Sequence, residues 1–387
     1  MASHDTNGTK VYRRILLGLC LLTLCGILAA GLWPFNPHPK NEASWLGNED
    51  GLLFGDYGTI MSASPFRAVN PGEELPCSFE IWLEPGATYD SNVIAAFYTH
   101  ENPQQFRLGQ TADNLYIRRS SPDGKQSGRM SILTVNHVFR QGKRLHVVVS
   151  SDKENTTIYV NGMAAQESRE FYLTNRNFTG ELVIGNSPEE NNSWNGKLRG
   201  IAIYDQALGV SEVSEHFDAW AREGRVEIAE HKTALAIYPF DERTGSTVHN
   251  RAGSGPDLNI PPYYTIYDPM FLEPPWREFR ANWDYCKDVI ENIAAFIPLG
   301  LFFCAYLSTV LRFKHAILIA VILGGMVSLT IEVLQAFLPM RDSGMTDIIT
   351  NTTGAAIGAI LYGSRFAQEL LAKIGAPTQQ QTEIPLE

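Results

Sequence analysis

The sequence predicts a multi-domain protein: a four-helix transmembrane α bundle plus an extracytoplasmic all-β sandwich set between the first and second helices. Three observations carry this reading. Apolar blocks at residues 15–33, 289–311 and 315–338 are long enough to cross a hydrocarbon core of about 30 Å as helices, and a shorter block follows at 348–362. Residues 51–220 instead show short runs of alternating polarity separated by turn residues, the mark of strands. Finally, Lys10, Arg13 and Arg14 precede the first block, Arg312 and Lys314 separate the second and third, and Arg365 and Lys373 follow the fourth. With four crossings all of these fall on one side, which places both termini in the cytoplasm and the long insertion outside.

Residues 1–14 are the cytoplasmic N-terminus. The block at 15–33 is longer than a signal-peptide core and its small residues Ala29-Ala30-Gly31 are followed by more apolar side chains, so it reads as an uncleaved helix. Residues 36–49, with Pro37 and Pro39, read as a linker. The sandwich is expected over 45–250. Its strands are expected at 78–83, 92–98, 115–118, 144–150, 157–160, 181–185 and 197–204, with a hairpin turn at Asn161-Gly162. The chain carries a net charge of −11, mostly in this middle region, which argues against a nucleic-acid or anionic-lipid partner there. The loops 152–155 and 189–192 read as solvated turns, and Trp194 and Tyr204 as core or rim residues rather than a sugar platform. Calcium in the sandwich stays open but cannot be placed, because no loop has calcium-ligand spacing; no other cofactor or metal is implied.

Residues 251–287 are a juxtamembrane segment rich in Pro, Tyr and Trp, expected on the outer membrane surface with Trp276, Phe279 and Trp283 at headgroup level. Cys77 and Cys286 are the two of five cysteines outside apolar helices, and their pairing is an open alternative. The tail, 365–387, is cytoplasmic, and Gln- and Pro-rich beyond Gly375.

The polar residues of 288–364 point to chemistry. Threading the blocks through a membrane brings Asp288 and Asn292, Glu332 and Gln335, Arg341, Asp347 and Asn351 to the same leaflet. Asp288/Asn292 and Asp347/Asn351 are i,i+4 pairs and Glu332/Gln335 is i,i+3, so each pair shares a helix face. A carboxylate within a span costs several kcal/mol unless it is paired or faces the bundle interior, so one shared pocket is expected, with Arg341 as counter-charge. Glu332 is then either a packing lock, bonded to Asn351, Gln335 or Arg341, or a ligand-binding or catalytic carboxylate. Asp347 is either an N-cap or a second acid/base. Arg341 suits a phosphate through two parallel donors. Gly354 and Gly358 are a helix-contact pair. No Ser-His-Asp order, phosphate-binding glycine loop or His/Cys metal set accompanies them, so whether any reaction occurs is left open.

Four blocks in this order, Asn292-I-A-A-F-I-P-L-Gly300, Ser328-L-T-I-E-V-L-Gln335, Arg341-D-S-G-M-T-Asp347 and Asn351-T-T-G-A-A-I-Gly358, resemble the VanZ-like membrane family. That family is named for a protein linked to teicoplanin resistance, and the resemblance implies a bacterial, multi-pass protein of the cytoplasmic membrane. Phe79-E-I-W-L-E-Pro85, Ile158-Y-V-N-Gly162 and Gly196-K-L-R-G-I-A-I-Tyr204 resemble the laminin-G-like, concanavalin A-like jelly roll, which often binds sugars or proteins through its loops. Residues 236–245 resemble a segment that such domains carry near their start; here it comes late, as an added strand. Two functions are expected from this. One is a site that binds or processes a lipid-linked cell-envelope precursor or phospholipid head group at the outer leaflet. The other is a membrane-anchored module that binds a glycan or protein without catalysis. A homo-oligomer is open in both.

Overall fold

The computed structural model describes residues 5–68, 72–88, 91–120, 130–223, 234–252, 254–279 and 283–373. Two compact units result: residues 38–269, and a helical unit made of 1–37 and 270–387.

In chain order the elements are α1 (Asp5–Gly31), β1 (Ser44–Trp45), β2 (Leu52–Phe54), β3 (Ile60–Ser62), β4 (Cys77–Pro85), β5 (Ser91–Thr99), β6 (Asn102–Thr111), β7 (Asn114–Ser120), β8 (Met130–Val135), β9 (Leu145–Ser151), β10 (Thr156–Val160), β11 (Met163–Ser168), β12 (Glu181–Ile184), β13 (Gly196–Tyr204), α2 (Val210–Glu223), β14 (Ala234–Tyr238), β15 (Thr247–Val248), β16 (Leu258–Asn259), α3 (Pro275–Glu278), α4 (Trp283–Leu307), α5 (Phe313–Gln335), α6 (Met345–Leu361) and α7 (Arg365–Lys373).

The strands form two antiparallel sheets. One runs β1-β2-β13-β4-β9-β10-β11, with β14 also on β13; the other runs β15-β16-β3-β12-β5-β6-β7-β8. Between them lies an aromatic core in which Phe79, Phe97, Phe106 and Phe178 meet at centroid distances of 5.0–6.3 Å. Every residue of β9 is buried, because both of its faces are covered. Leu145, Val147 and Val149 face the inter-sheet core, while Val148 joins Trp82, Tyr159, Val213 and Trp220 beneath α2. The expected strands are all present. The 236–245 segment supplies β14, paired with β13 as an added strand.

The ends of this unit depart from expectation. Residues 36–49 are not a free linker: β1 pairs with β2, and the buried Asn41 side chain donates to Thr59 O and Pro261 O, both at 2.7 Å. At the other end β16 pairs with β3, Lys40 bridges Tyr263, and the Tyr264 N–H donates to Pro39 O at 2.8 Å. The Pro-Tyr-rich stretch before residue 270 is therefore part of the sandwich, its backbone groups satisfied by strand partners rather than by an interface. Cys77 is buried in β4, Cys286 is exposed on α4, and both are free thiols.

In the helical unit, 10–31, 285–307 and 313–335 are long and apolar enough to cross a membrane, with mean hydropathies of 2.1, 1.7 and 2.4. α6 has only 17 residues, so among the described residues three helices, not four, meet the length of a full span. α6 packs most closely on α4 and also on α5, and α1 packs on α4. The seam is made of small residues. A Cβ on Gly354 or Gly358 would lie inside van der Waals contact of the carbonyl oxygens of Ile293 and Ile297, and one on Gly300 would meet that of Ala355. On α5 the buried face runs Ala316, Ala320, Gly324, Ser328, Glu332, a stripe of period four that turns Glu332 toward α6. Residues 365–373 are helix α7, whose Leu371 packs with Leu16 and Ala305; the Gln- and Pro-rich tail beyond Gly375 lies outside the described residues.

Candidate functional site: a polar cluster at the start of α6

Every helix N-terminus leaves backbone N–H groups without intrahelical partners and carries partial positive charge. At α6 these groups are taken by carboxylates from other elements. Gly344 is the N-cap, and its N–H donates to Glu332 Oε2 on α5 at 2.8 Å. The Thr346 N–H donates to Glu278 Oε2 on α3 at 2.9 Å, and the Thr346 hydroxyl bonds the same carboxylate. Asp347 is not the N-cap. Its Oδ1 accepts from Asn292 Nδ2 on α4 at 2.8 Å. Asn351, one turn on, donates to Ser328 Oγ on α5 at 3.0 Å. Gln335 Nε2 reaches the last carbonyl of α1, Gly31 O, at 2.8 Å.

Polar groups from α1, α3, α4, α5 and α6 thus meet at one end of the helical unit. Glu332, Gln335 and Asn351 are at most 5 % exposed, and Asn292, Asp347 and Arg341 are half-buried. Asp288 is exposed on α4, one turn before Asn292. The expected counter-charge differs from what is seen. Arg341 makes no ion pair with any described residue, although it is near enough for its charge to act on Asp347, as do the charges of Glu278 and Asp288. Glu332 is bonded to neither Arg341, Gln335 nor Asn351. The α6 terminus replaces the cation, because the loop before it turns a free N–H inward.

Two buried acceptors in this cluster lack a hydrogen-bond partner among the described residues: Gln335 Oε1 and Asn351 Oδ1. A buried amide oxygen left without a donor costs roughly 1–3 kcal/mol, so the cluster has spare accepting capacity alongside an unpaired guanidinium. Sequence reasoning missed Glu278, Ser328 and Gly344. The signal for Gly344 was present, since a glycine opening an apolar helix in a polar loop is a standard start.

A second cluster lies in the sandwich, beneath α2. Glu80 on β4 is fully buried and accepts from His146 Nε2 at 2.7 Å, from the Tyr204 hydroxyl at 2.8 Å and from His216 Nδ1 at 3.0 Å. Burial alone would raise the Glu80 pKa, but the hydrogen bonds from both histidines and then their charges outweigh it and hold the pKa at about 2. Burial pulls His216 down, yet the bond to Glu80 and its charge leave it above the ordinary 6.5. The signs fix a pH window. The Glu80 contribution is complete above its ordinary 4.5 and lost as pH falls toward 2, while the His216 contribution is complete below 6.5 and lost as pH rises through its higher folded value. The expected melting temperature of the sandwich therefore peaks between about pH 4.5 and 6.5. A His216→Phe variant should lose the decline on the alkaline side; an unchanged alkaline limb would remove His216 as its source. Elsewhere in the sandwich Glu189, expected in a solvated turn, is buried and ion-paired with buried Arg107. Asp152 caps its own turn through the N–H groups of Glu154 and Asn155, as expected. Trp194 and Tyr204 are core residues, as expected.

Two family models match the chain in sequence order, and the second begins inside the sandwich. Residues 59–214 match the family model of the concanavalin A-like lectin/glucanases superfamily, and residues 233–367 match that of VanZ/LLP1. Protein VanZ of Enterococcus faecium is 31% identical over 85 residues, which is 22% of this chain and 49% of that protein, so the chain spans about half the length of this curated relative. Similar solved structures include a putative carbohydrate binding protein from Bacteroides ovatus (13% identity, TM-score 0.39, 57% of this chain and 60% of that one). Another is the CBM40 of a Ruminococcus gnavus IT-sialidase bound to α2,3-sialyllactose (12% identity, TM-score 0.33, 43% and 96%). Likeness at that level says nothing about ligand. The chain therefore carries a stretch similar to concanavalin A-like lectins and glucanases, followed by one similar to VanZ/LLP1 proteins.

Proposed function

We propose that the helical unit is a four-helix transmembrane bundle that binds the head group of a phosphate-bearing lipid, a lipid-linked envelope precursor or a phospholipid, at the outer leaflet. The observation that carries the reading is the pairing of spare groups in one polar cluster: among the described residues, two buried amide oxygens have no donor and a half-buried arginine has no carboxylate partner. Arg341 takes the phosphate. Gln335 and Asn351 accept from hydroxyl or amino groups of the head group, Asn292 holds Asp347 in place, and Asp288 stands at the rim. Glu332 and Asp347 are the groups placed to move a proton if the bound lipid reacts. Exposed Trp33, Phe35, Trp276, Phe279 and Trp283 suit the headgroup level of the membrane.

The test is lipid mass spectrometry on the purified full chain. A phosphate-bearing lipid should co-purify with the wild type and fall by about tenfold in Arg341→Ala, the loss expected for one charge-assisted hydrogen bond. Glu332→Gln keeps an acceptor for the Gly344 N–H, so it should stay folded while changing the bound lipid or its turnover. The same lipid complement in all three proteins would remove the proposal.

A second reading is favoured by the match of residues 59–214 to the lectin/glucanase superfamily. In it the sandwich recognises an envelope glycan and the helices serve as anchor. Glycan binding by the full chain that is indifferent to Arg341→Ala and Glu332→Gln, together with an unaltered lipid complement, would support this one.

A further inference from the structure

The chain is acidic overall, with a net charge of −11, but residues 136–146 include Arg140, Lys143 and Arg144 and no carboxylate. These three line a cleft of about 440 Å³ between the β8–β9 connection and the β10–β11 turn. A second hollow of about 260 Å³ adjoins it, sharing Arg144 and Asn161 and adding Phe217 and Trp220 of α2.

The cations stand on a fixed base. The Lys143 N–H donates to Arg140 O at 3.0 Å, closing a tight turn, and the Gly142 N–H anchors that turn to Pro85 O at 2.8 Å. Gly142 has φ 66°, a conformation that a side chain would strain. Opposite, Asn161 and Gly162 have φ 51° and 80°, as a two-residue hairpin turn requires. Asn161 Oδ1 accepts from the His146 N–H at 3.1 Å, which locks the side chain and leaves its NH2 without a described partner. Arg144 is only loosely engaged, 3.8 Å from Glu49, while Arg140 and Lys143 form no ion pair with any described residue. Two exposed, unpaired cations on an anchored turn give a local positive field in an acidic chain, and their positions need little ordering on binding.

We propose that this cleft binds an anionic polyhydroxylated polymer, a saccharide or polyol chain bearing carboxylate or phosphate groups. Arg140, Lys143 and Arg144 take the anionic groups, the Asn161 amide donates to a hydroxyl, and the half-buried ring of Phe217 meets an apolar face of the chain. The inference rests on the glycan-binding reading of the sandwich and gives it a site and a ligand class.

The experiment uses the full chain in neutral detergent micelles and three probes: polygalacturonate, poly(glycerol phosphate) and dextran. The wild type should bind one or both anionic polymers, with affinity falling as salt rises, and should not bind dextran. Binding to polygalacturonate alone or to poly(glycerol phosphate) alone identifies the anionic group as carboxylate or phosphate. Arg140→Glu/Lys143→Glu should weaken binding by at least about tenfold and Arg140→Gln/Lys143→Gln by less, whereas Arg67→Glu, an exposed arginine outside the cleft, should bind as wild type. All of these side chains are exposed, so the variants should melt with the wild type. Anionic-polymer binding unchanged in the charge-reversed pair, or equal binding of dextran, overturns the cleft but leaves a glycan-binding sandwich. No binding of any of the three overturns both.

Discussion

Replacing Glu80 with leucine should destabilise the sandwich by about 3–5 kcal/mol, the cost of removing one partner from a buried ionic network. Three donors converge on this carboxylate, from His146, His216 and Tyr204, and leucine accepts from none of them. His146 is itself fully buried between Trp82 and Phe217, with ring centroids 5.2 and 5.9 Å away, so it cannot turn to water. Glu80→Gln keeps acceptor capacity but puts an NH2 group among donors, and should cost about 1–3 kcal/mol. Denaturant unfolding followed by tryptophan fluorescence reads this directly, since Trp82 and Trp220 flank the cluster. A Glu80→Leu protein within about 1 kcal/mol of wild type would mean that the network is dispensable.

The second large effect is expected in the membrane unit. Gly358→Ala and Gly354→Ala should each cost about 1–3 kcal/mol of bundle stability, and the double variant should separate α6 from α4. Alanine is the better helix former by about 1 kcal/mol, so propensity argues the other way. The clash decides the sign, because each new methyl would meet a carbonyl oxygen of α4, which has no rotamer to escape into. Gly18→Ala on α1 is the control: nothing lies near its Cβ, and it should be neutral or slightly stabilising. Thermal unfolding of the full chain in detergent separates the outcomes. Equal melting of Gly358→Ala and Gly18→Ala would show that the seam is looser than its geometry. Loss of α6 from α4 would also part Asn292 from Asp347 and so dismantle the polar cluster.

What could be read from the residues depended on how each element is buried. β4, β9 and β13 were legible because apolar side chains fill them, and Asn161-Gly162 marked its turn. β6 was not, because both of its faces are buried: Phe106 and Leu108 face the core, while polar side chains alternate with them. Gln105 donates to Arg176 O and Thr179 O, Gln110 to Ala87 O and Ala112 O, and Arg107 pairs with Glu189. The short stretch 104–110 has only two large apolar residues among polar ones, too few to show as an alternating strand. β11 was hidden for the opposite reason, as an exposed edge strand. α2 could have been found: Val213, Phe217 and Trp220 recur at helical spacing between acidic residues. For the membrane site, the i,i+3 and i,i+4 pairs were enough to name the residues. They were not enough to pair them, because the main partner of Glu332 is a backbone N–H, which no side-chain inventory contains.

The bridge between Lys40 and Tyr263, with the Tyr264 to Pro39 bond beside it, has a consequence for assembly. The sandwich starts and finishes at the same spot. Once folded, it holds the exit of α1 and the approach to α3 close together, so the entropy of joining those helices is that of a short tether and barely depends on how much chain lies in between. A domain fastened in that way can be enlarged, exchanged or cut out during evolution while the helices keep their own connectivity.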